Sequence, residues 1–157
     1  MKSNLRILVT MGLLMLAFGS NASDTGFGHV SNRCSPDGIA VGGYDLVAYH
    51  TENRAAKGSA DWSTEYNGLL HQFSSPENLA LFVASPEQYL PKFSGWCAIA
   101  LAKNKLTCPD YENFAVQNGE LLLFETFGFT NGRHVWDRNP VSNLQSAQKN
   151  YDRFFEQ

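Results

Sequence analysis

The chain has 157 residues, with 12 basic and 15 acidic side chains for a formal charge of −3. The charges are scattered, with no basic run, no low-complexity segment and no internal repeat in the residue pattern, so nothing points to DNA, RNA or anionic lipid as a partner. The aromatic share of 13%, with Trp62, Trp96 and Trp136 among it, is enough to fill a compact core.

Taken in order, Lys2 and Arg6 precede an apolar run over Ile7–Phe18. Ser20–Asn21–Ala22 then places small residues at both positions a signal peptidase reads. This is the layout of a secretory signal over residues 1–22, and the run is too short to span a bilayer. Cleavage after Ala22 is expected to leave residues 23–157 without a membrane span and, with Lys2 and Arg6 gone, at a formal charge of −5. That is one domain's length. The expected address is export, to the periplasm or to the outside. No cysteine directly follows the apolar run, so no lipid anchor is indicated. Cys34, Cys97 and Cys108 all lie beyond the signal, and an odd count in an oxidising compartment leaves at least one thiol unpaired or paired with another molecule.

Residues 23–38 are polar and glycine-bearing, and they form an N-terminal arm that contains His29 and ends in a turn at Ser35–Gly38. Ile39–Val41 has the composition of a short strand, broken by Gly42–Gly43. Asp45 stands where it would cap one helical turn over Leu46–His50. Thr51–Ser59 is a charged loop. Thr64–Tyr66 and Leu69–Phe73 are strands joined by Asn67–Gly68, which suits a type I′ turn. Ser75 then caps a helix with Pro76 at its first position and Glu77 in its first turn, and Leu79, Phe82 and Val83 form its apolar stripe. Ser85–Pro86–Glu87 repeats the cap signal ahead of Tyr89, Leu90 and Pro91.

Gly95–Ala102 is the most apolar run after the signal. Its periodicity leaves strand or helix open, and its alanines favour helix. Phe114–Val116 and Leu121–Phe124 predict a second hairpin through Asn118–Gly119, with Gln117 as an optional third turn residue. Gly128–Gly132 is a loop. Val141, Leu144, Ala147, Tyr151 and Phe154 mark a last amphipathic helix after Pro140. Two hairpins with several short helices predict a small α+β domain. No Gly-x-Ser-x-Gly, His-Glu-x-x-His, phosphate-binding glycine loop or dinucleotide fingerprint is present, which favours a non-enzymatic protein.

Gly42–Gly43–Tyr44–Asp45–Leu46–Val47–Ala48–Tyr49 resembles the opening of the exported YHS-domain proteins, in which a proline usually stands at Leu46. The likeness continues through Glu65–Tyr66–Asn67–Gly68, Phe73–Ser74–Ser75, Phe82, Pro86, Tyr89, Gly95–Trp96–Cys97–Ala98 and Asn118–Gly119–Glu120–Leu121. More loosely it reaches Asn143, Ala147 and Asn150, so residues 39–157 are taken as a YHS-like domain. The broader family implies metal handling through two cysteines, one after the hairpin and one on the next helix. Those positions hold Ser74 and Asn78 here. A hydroxyl and an amide are poor ligands for a soft cation. The resemblance does supply a cysteine at Cys97. It is read either as a metal ligand or reactive thiol in a pocket with Trp96 and Tyr44, or as a small buried apolar residue.

Cys34 and Cys108 fall outside the family pattern and are expected to pair with each other, with Cys97–Cys108 as the rival bridge. Among His29, His50, His71 and His134, His50 is the best placed to join Cys97 as a ligand, and His71 reads as a rim residue of the hairpin. Tyr44 and Asp45 are read as a ligand-binding pair or as plug and cap of a helical turn. The function these readings imply is an exported non-enzymatic binding protein for a transition metal such as copper, or for a small ligand near Cys97, Tyr44, Asp45 and Trp96. The alternatives are a thiol-dependent enzyme or redox protein using Cys97, and an interaction module without a site.

Overall fold

The computed structural model describes residues 34–155. The expected signal over 1–22, most of the arm and His29 lie outside them. Among the described residues there are five α-helices and three antiparallel two-stranded hairpins. The fold is α+β.

The helices are α1 (Leu46–Thr51), α2 (Pro76–Ala84), α3 (Ala98–Ala102), α4 (Gly132–Trp136) and α5 (Pro140–Phe155). The strands pair as β1 (Ser59–Tyr66) with β2 (Leu69–Phe73), β3 (Asp110–Gln117) with β4 (Glu120–Phe124), and β5 (Thr126–Phe127) with β6 (Thr130–Asn131). Both long hairpins turn on Asn-Gly, with φ of 50° and 75° at Asn67 and Gly68 and of 52° and 80° at Asn118 and Gly119. Positive φ at both central residues is what a type I′ turn requires. Gln117 pairs with Glu120, so the second turn has two residues and not three.

The two long hairpins are one pattern used twice. Ser59↔Phe73 and Ser63↔Gln72 bracket an irregularity in the first, and Asp110↔Phe124 and Phe114↔Leu123 bracket the same irregularity in the second. Ahead of each lies a single 3-10 segment with left-handed backbone. Val41 and Gly42 have φ of 45° and 60° in Ala40–Gly43, and Phe93 and Ser94 have φ of 57° and 51° in Lys92–Gly95. Each segment follows a parallel bridge to the second strand of its hairpin, Ile39↔Leu70 and Pro91↔Leu121. Each is followed by an extended aromatic residue, Tyr44 or Trp96, and then by α1 or α3. Asp45 N–H donates to the Ala56 carbonyl and Cys97 N–H to the Thr107 carbonyl. This internal repeat was hidden in the residue pattern because, beyond the Asn-Gly turns and a few positions such as Leu70/Leu121, Phe73/Phe124 and Gly43/Gly95, the paired residues differ in type. It also corrects the strand expected at Ile39–Val41, whose left-handed turn at Val41 and Gly42 breaks extended backbone. At Gly42 the space is closed as well, since a Cβ would stand 2.7 Å from the Tyr111 ring.

There are two cores, and the second hairpin feeds both, sending Phe114, Leu121 and Leu123 into the first and Ala115, Leu122 and Phe124 into the second. The first gathers Val47, Tyr49, Leu69, Phe73, Phe82, Tyr89 and Leu121. The second gathers Phe93, Trp96, Cys97, Leu101, Phe124, Trp136 and Ala147, with Leu144, Tyr151 and Phe155 packed on it from α5. Two expected stripes shift by a residue or so. On α2 the buried face is Asn78 and Phe82 while Val83 is exposed, and on α5 the exposed residues include Val141 and Phe154, the latter replaced in the core by Phe155. Trp62 is also partly in solvent, on the outer side of β1. The loop expected over Gly128–Gly132 is instead the β5–β6 turn and the start of α4.

Candidate functional site

Asp45 is wholly buried and both its oxygens are engaged. Oδ1 accepts from the backbone N–H of Val47 (2.9 Å) and Ala48 (3.2 Å), the capping role expected from sequence. Oδ2 accepts from Ser74 N–H (2.8 Å), Ser74 Oγ (2.6 Å) and Asn78 Nδ2 (2.7 Å). The Ser74 hydroxyl and the Asn78 amide are therefore committed to a buried carboxylate. Hard oxygen donors already hydrogen-bonded in this way do not fit a soft cation.

Cys97 occupies the corresponding place in the second half. Its Sγ accepts from Glu125 N–H at 3.1 Å, as Asp45 accepts from Ser74 N–H, each tying the helix turn to the residue just after its hairpin. The thiol is fully buried, and burial pushes its pKa up. A thiolate is disfavoured there, the hydrogen bond from Glu125 N–H opposing the effect of burial.

The residues grouped in sequence as one pocket separate in space. Trp96 and Cys97 belong to the second core, whereas Tyr44 packs on the first. The Tyr44 hydroxyl donates to Glu112 at 2.8 Å, and Lys57 Nζ lies 3.7 Å above the Tyr44 ring. His50 sets its ring edge-on to Tyr89, at 5.5 Å between centroids, also on the first core. Cys97 thus sits in the second core and His50 against Tyr89 of the first. Among the described residues, no three His, Cys, Asp or Glu side chains converge to hold a metal ion.

His71, expected at the rim, is buried, stacked on Phe82 at 4.9 Å between ring centroids. Burial lowers its pKa from 6.5 to about 4, the hydrogen bond to the Tyr66 carbonyl opposing it. The folded state therefore resists protonation that the unfolded chain accepts, so stability is full above pH 6.5 and falls as the pH drops towards 4. Between pH 7 and pH 5 the loss is expected to be about 2 kcal/mol. Urea midpoints across that range measure it, and His71→Phe, which keeps a ring against Phe82, is expected to flatten the slope.

The structure adds a feature that sequence reasoning missed. A groove of about 350 Å³ is lined by Lys103, Lys105, Thr107, Glu125, Phe127 and Thr130. Thr107 Oγ1 donates to Glu125 Oε2 at 3.0 Å, and the backbone of these same two residues bonds Cys97, so the groove lies directly beside the buried thiol. The available signal was Phe127–Gly128–Phe129, aromatics flanking a glycine after a committed strand.

Cys34 and Cys108 form a disulfide across a sequence separation of 74, as expected, and Cys97 is the free cysteine. The bridge fits an extracytoplasmic protein. No helix among the described residues is long and apolar enough to cross a membrane. No protein-family model matches the chain, and neither a curated protein nor a solved structure does.

Proposed function

We propose that this is an exported, non-enzymatic binding protein on a YHS-like scaffold, most naturally periplasmic, with a small ligand seated in the groove beside Cys97. The observation that carries this reading is the convergence of Lys103, Lys105, Thr107 and Thr130 on a concave surface with one apolar wall, Phe127. A few polar groups converging on a partly apolar hollow are what small-molecule sites have in common. Two ammonium groups favour a ligand with an anionic group, and the phenyl ring favours an apolar portion next to it. Cys97 supports the groove wall from behind through Glu125 N–H.

The reading is favoured over a copper-type site because, among the described residues, no three His, Cys, Asp or Glu side chains converge to hold a metal ion. It is favoured over a thiol enzyme because burial raises the thiol pKa. Native mass spectrometry and metal analysis of protein isolated from its own compartment test all three readings. The expected result is a bound organic mass that Lys105→Glu abolishes, with no stoichiometric metal, and no iodoacetamide adduct on Cys97 until the protein is denatured. Absence of any bound mass together with stoichiometric copper would overturn the proposal, as would rapid native alkylation of Cys97. An empty protein with an inert thiol would leave an interaction module in its place.

A further inference from the structure

The repeat shows where the second half departs from the first. After the first hairpin the chain passes from Ser74 through Ser75, which caps α2, straight into the helix. After the second hairpin, Thr126–Asn131 intervenes as β5–β6 before Asn131 caps α4. This extra hairpin is braced at its base. Gly132 N–H donates to the Glu125 carbonyl at 3.0 Å, Asn113 Nδ2 donates to the Glu125 carbonyl (3.1 Å) and to Thr126 Oγ1 (3.2 Å), and Thr126 Oγ1 donates to Asp110 (2.8 Å). On this fixed base Phe127 is 80% exposed and Phe129 is fully exposed. Two phenyl rings held in water by a braced support cost free energy that burial would recover.

We infer that the β5–β6 tip is a membrane-docking device that inserts Phe127 and Phe129 into the interfacial layer of a phospholipid surface while Lys103 and Lys105 meet the headgroup phosphates. Aromatic side chains with cations beside them match the layering of a bilayer surface, with apolar interface below and anionic phosphate above. The lysines and Phe127 line one groove, so cation and ring are presented together. Glu125 lines the same groove and accepts from Thr107, and Asp110 accepts from Thr126; both keep their negative charge, so the lysines act locally against it. The overall negative charge gives no long-range attraction, so docking is short-ranged and local to this tip. For its lysines and Phe127, the inference rests on the groove being a binding site; for Phe129, which is not a lining residue, it does not.

Vesicle sedimentation with the protein lacking its expected signal, using equal parts phosphatidylglycerol and phosphatidylcholine, tests it, with glycerol 3-phosphate as a soluble probe of the groove alone. Wild type is expected to co-sediment, and F127S/F129S to partition about tenfold less or worse. K103Q and K105Q are each expected to cost roughly fivefold. Both phenylalanines are exposed, and an unchanged melting temperature shows that F127S/F129S folds. Wild type that binds glycerol 3-phosphate but stays in the supernatant would overturn docking and keep the groove. Wild type that binds neither would overturn both. Vesicle binding that survives F127S/F129S, or phenylalanine-dependent dimerisation without vesicle binding, would also overturn docking.

Discussion

Asp45→Ala is expected to lower the stability of the protein by about 4 kcal/mol, read as a shift of the urea midpoint at unchanged slope. The carboxylate accepts five hydrogen bonds at a site with no solvent exposure, from Val47 N–H, Ala48 N–H, Ser74 N–H, Ser74 Oγ and Asn78 Nδ2. Truncation leaves the buried donors of Val47, Ala48 and Asn78 without a partner while exposed Ser74 can turn to water, and each buried donor without a partner costs about 1–3 kcal/mol before relaxation. Relaxation and non-additivity hold the total below the simple sum. Asp45→Asn is expected to be nearly as damaging, because an amide turns one acceptor oxygen into a donor aimed at donors. Ser74→Ala removes only the hydroxyl bond and is expected to cost about 1 kcal/mol. A midpoint shift for Asp45→Ala no larger than that of Ser74→Ala would show that the carboxylate does not organise this junction.

Reduction of the Cys34–Cys108 bridge carries the other large effect. The bond closes a loop spanning a sequence separation of 74, and a loop of that length restricts the unfolded chain by about 4 kcal/mol. Unfolding in urea with and without a phosphine reductant reads the difference directly, and Cys34→Ser/Cys108→Ser is expected to match the reduced protein. Cys97 stays buried and free in both forms. The reduced protein is expected to keep the Tyr111 hydroxyl bonded to the Cys34 carbonyl, now 2.9 Å away, so the arm loosens from the domain without the cores being rebuilt. A loss below about 1 kcal/mol would mean that the arm is fastened by packing and the bridge adds little to it.

Sequence signals were decisive wherever one residue's own conformational chemistry settles the local structure. Asn67–Gly68 and Asn118–Gly119 select the tight turn, Asp45 and Ser75 cap their helices, and Pro76 and Pro140 begin theirs. Features decided at longer range were hidden. Val41, Phe93 and Ser94 adopt left-handed backbone although none is glycine or asparagine, because the cores around them fix the chain there. His71 reads as polar in a strand, yet its β2 register sends it inward against Phe82. The candidate site was harder still. Cys97 was left free by the expected Cys34–Cys108 bridge, but Thr107 and Glu125, whose backbones bond it, and Lys105, which shares their groove, come from segments with no motif, brought together only by tertiary contacts. Tyr44 and Trp96, read as lining one pocket with Cys97, are equivalents in the two halves and lie on different cores.

The connection that leaves each long hairpin is pinned on both sides. Upstream, Asp45 or Cys97 grips the first residue after the strand; downstream, Ser75 or Asn131 caps the next helix. Between those anchors the chain passes directly from Ser74 to Ser75 in the first half and carries residues 126–130 in the second. The junction is thus a permissive port, a place where length and sequence can drift without taxing the fold. Loop transplants between the two ports, Thr126–Asn131 in place of Ser75, are the substitutions this architecture is built to tolerate.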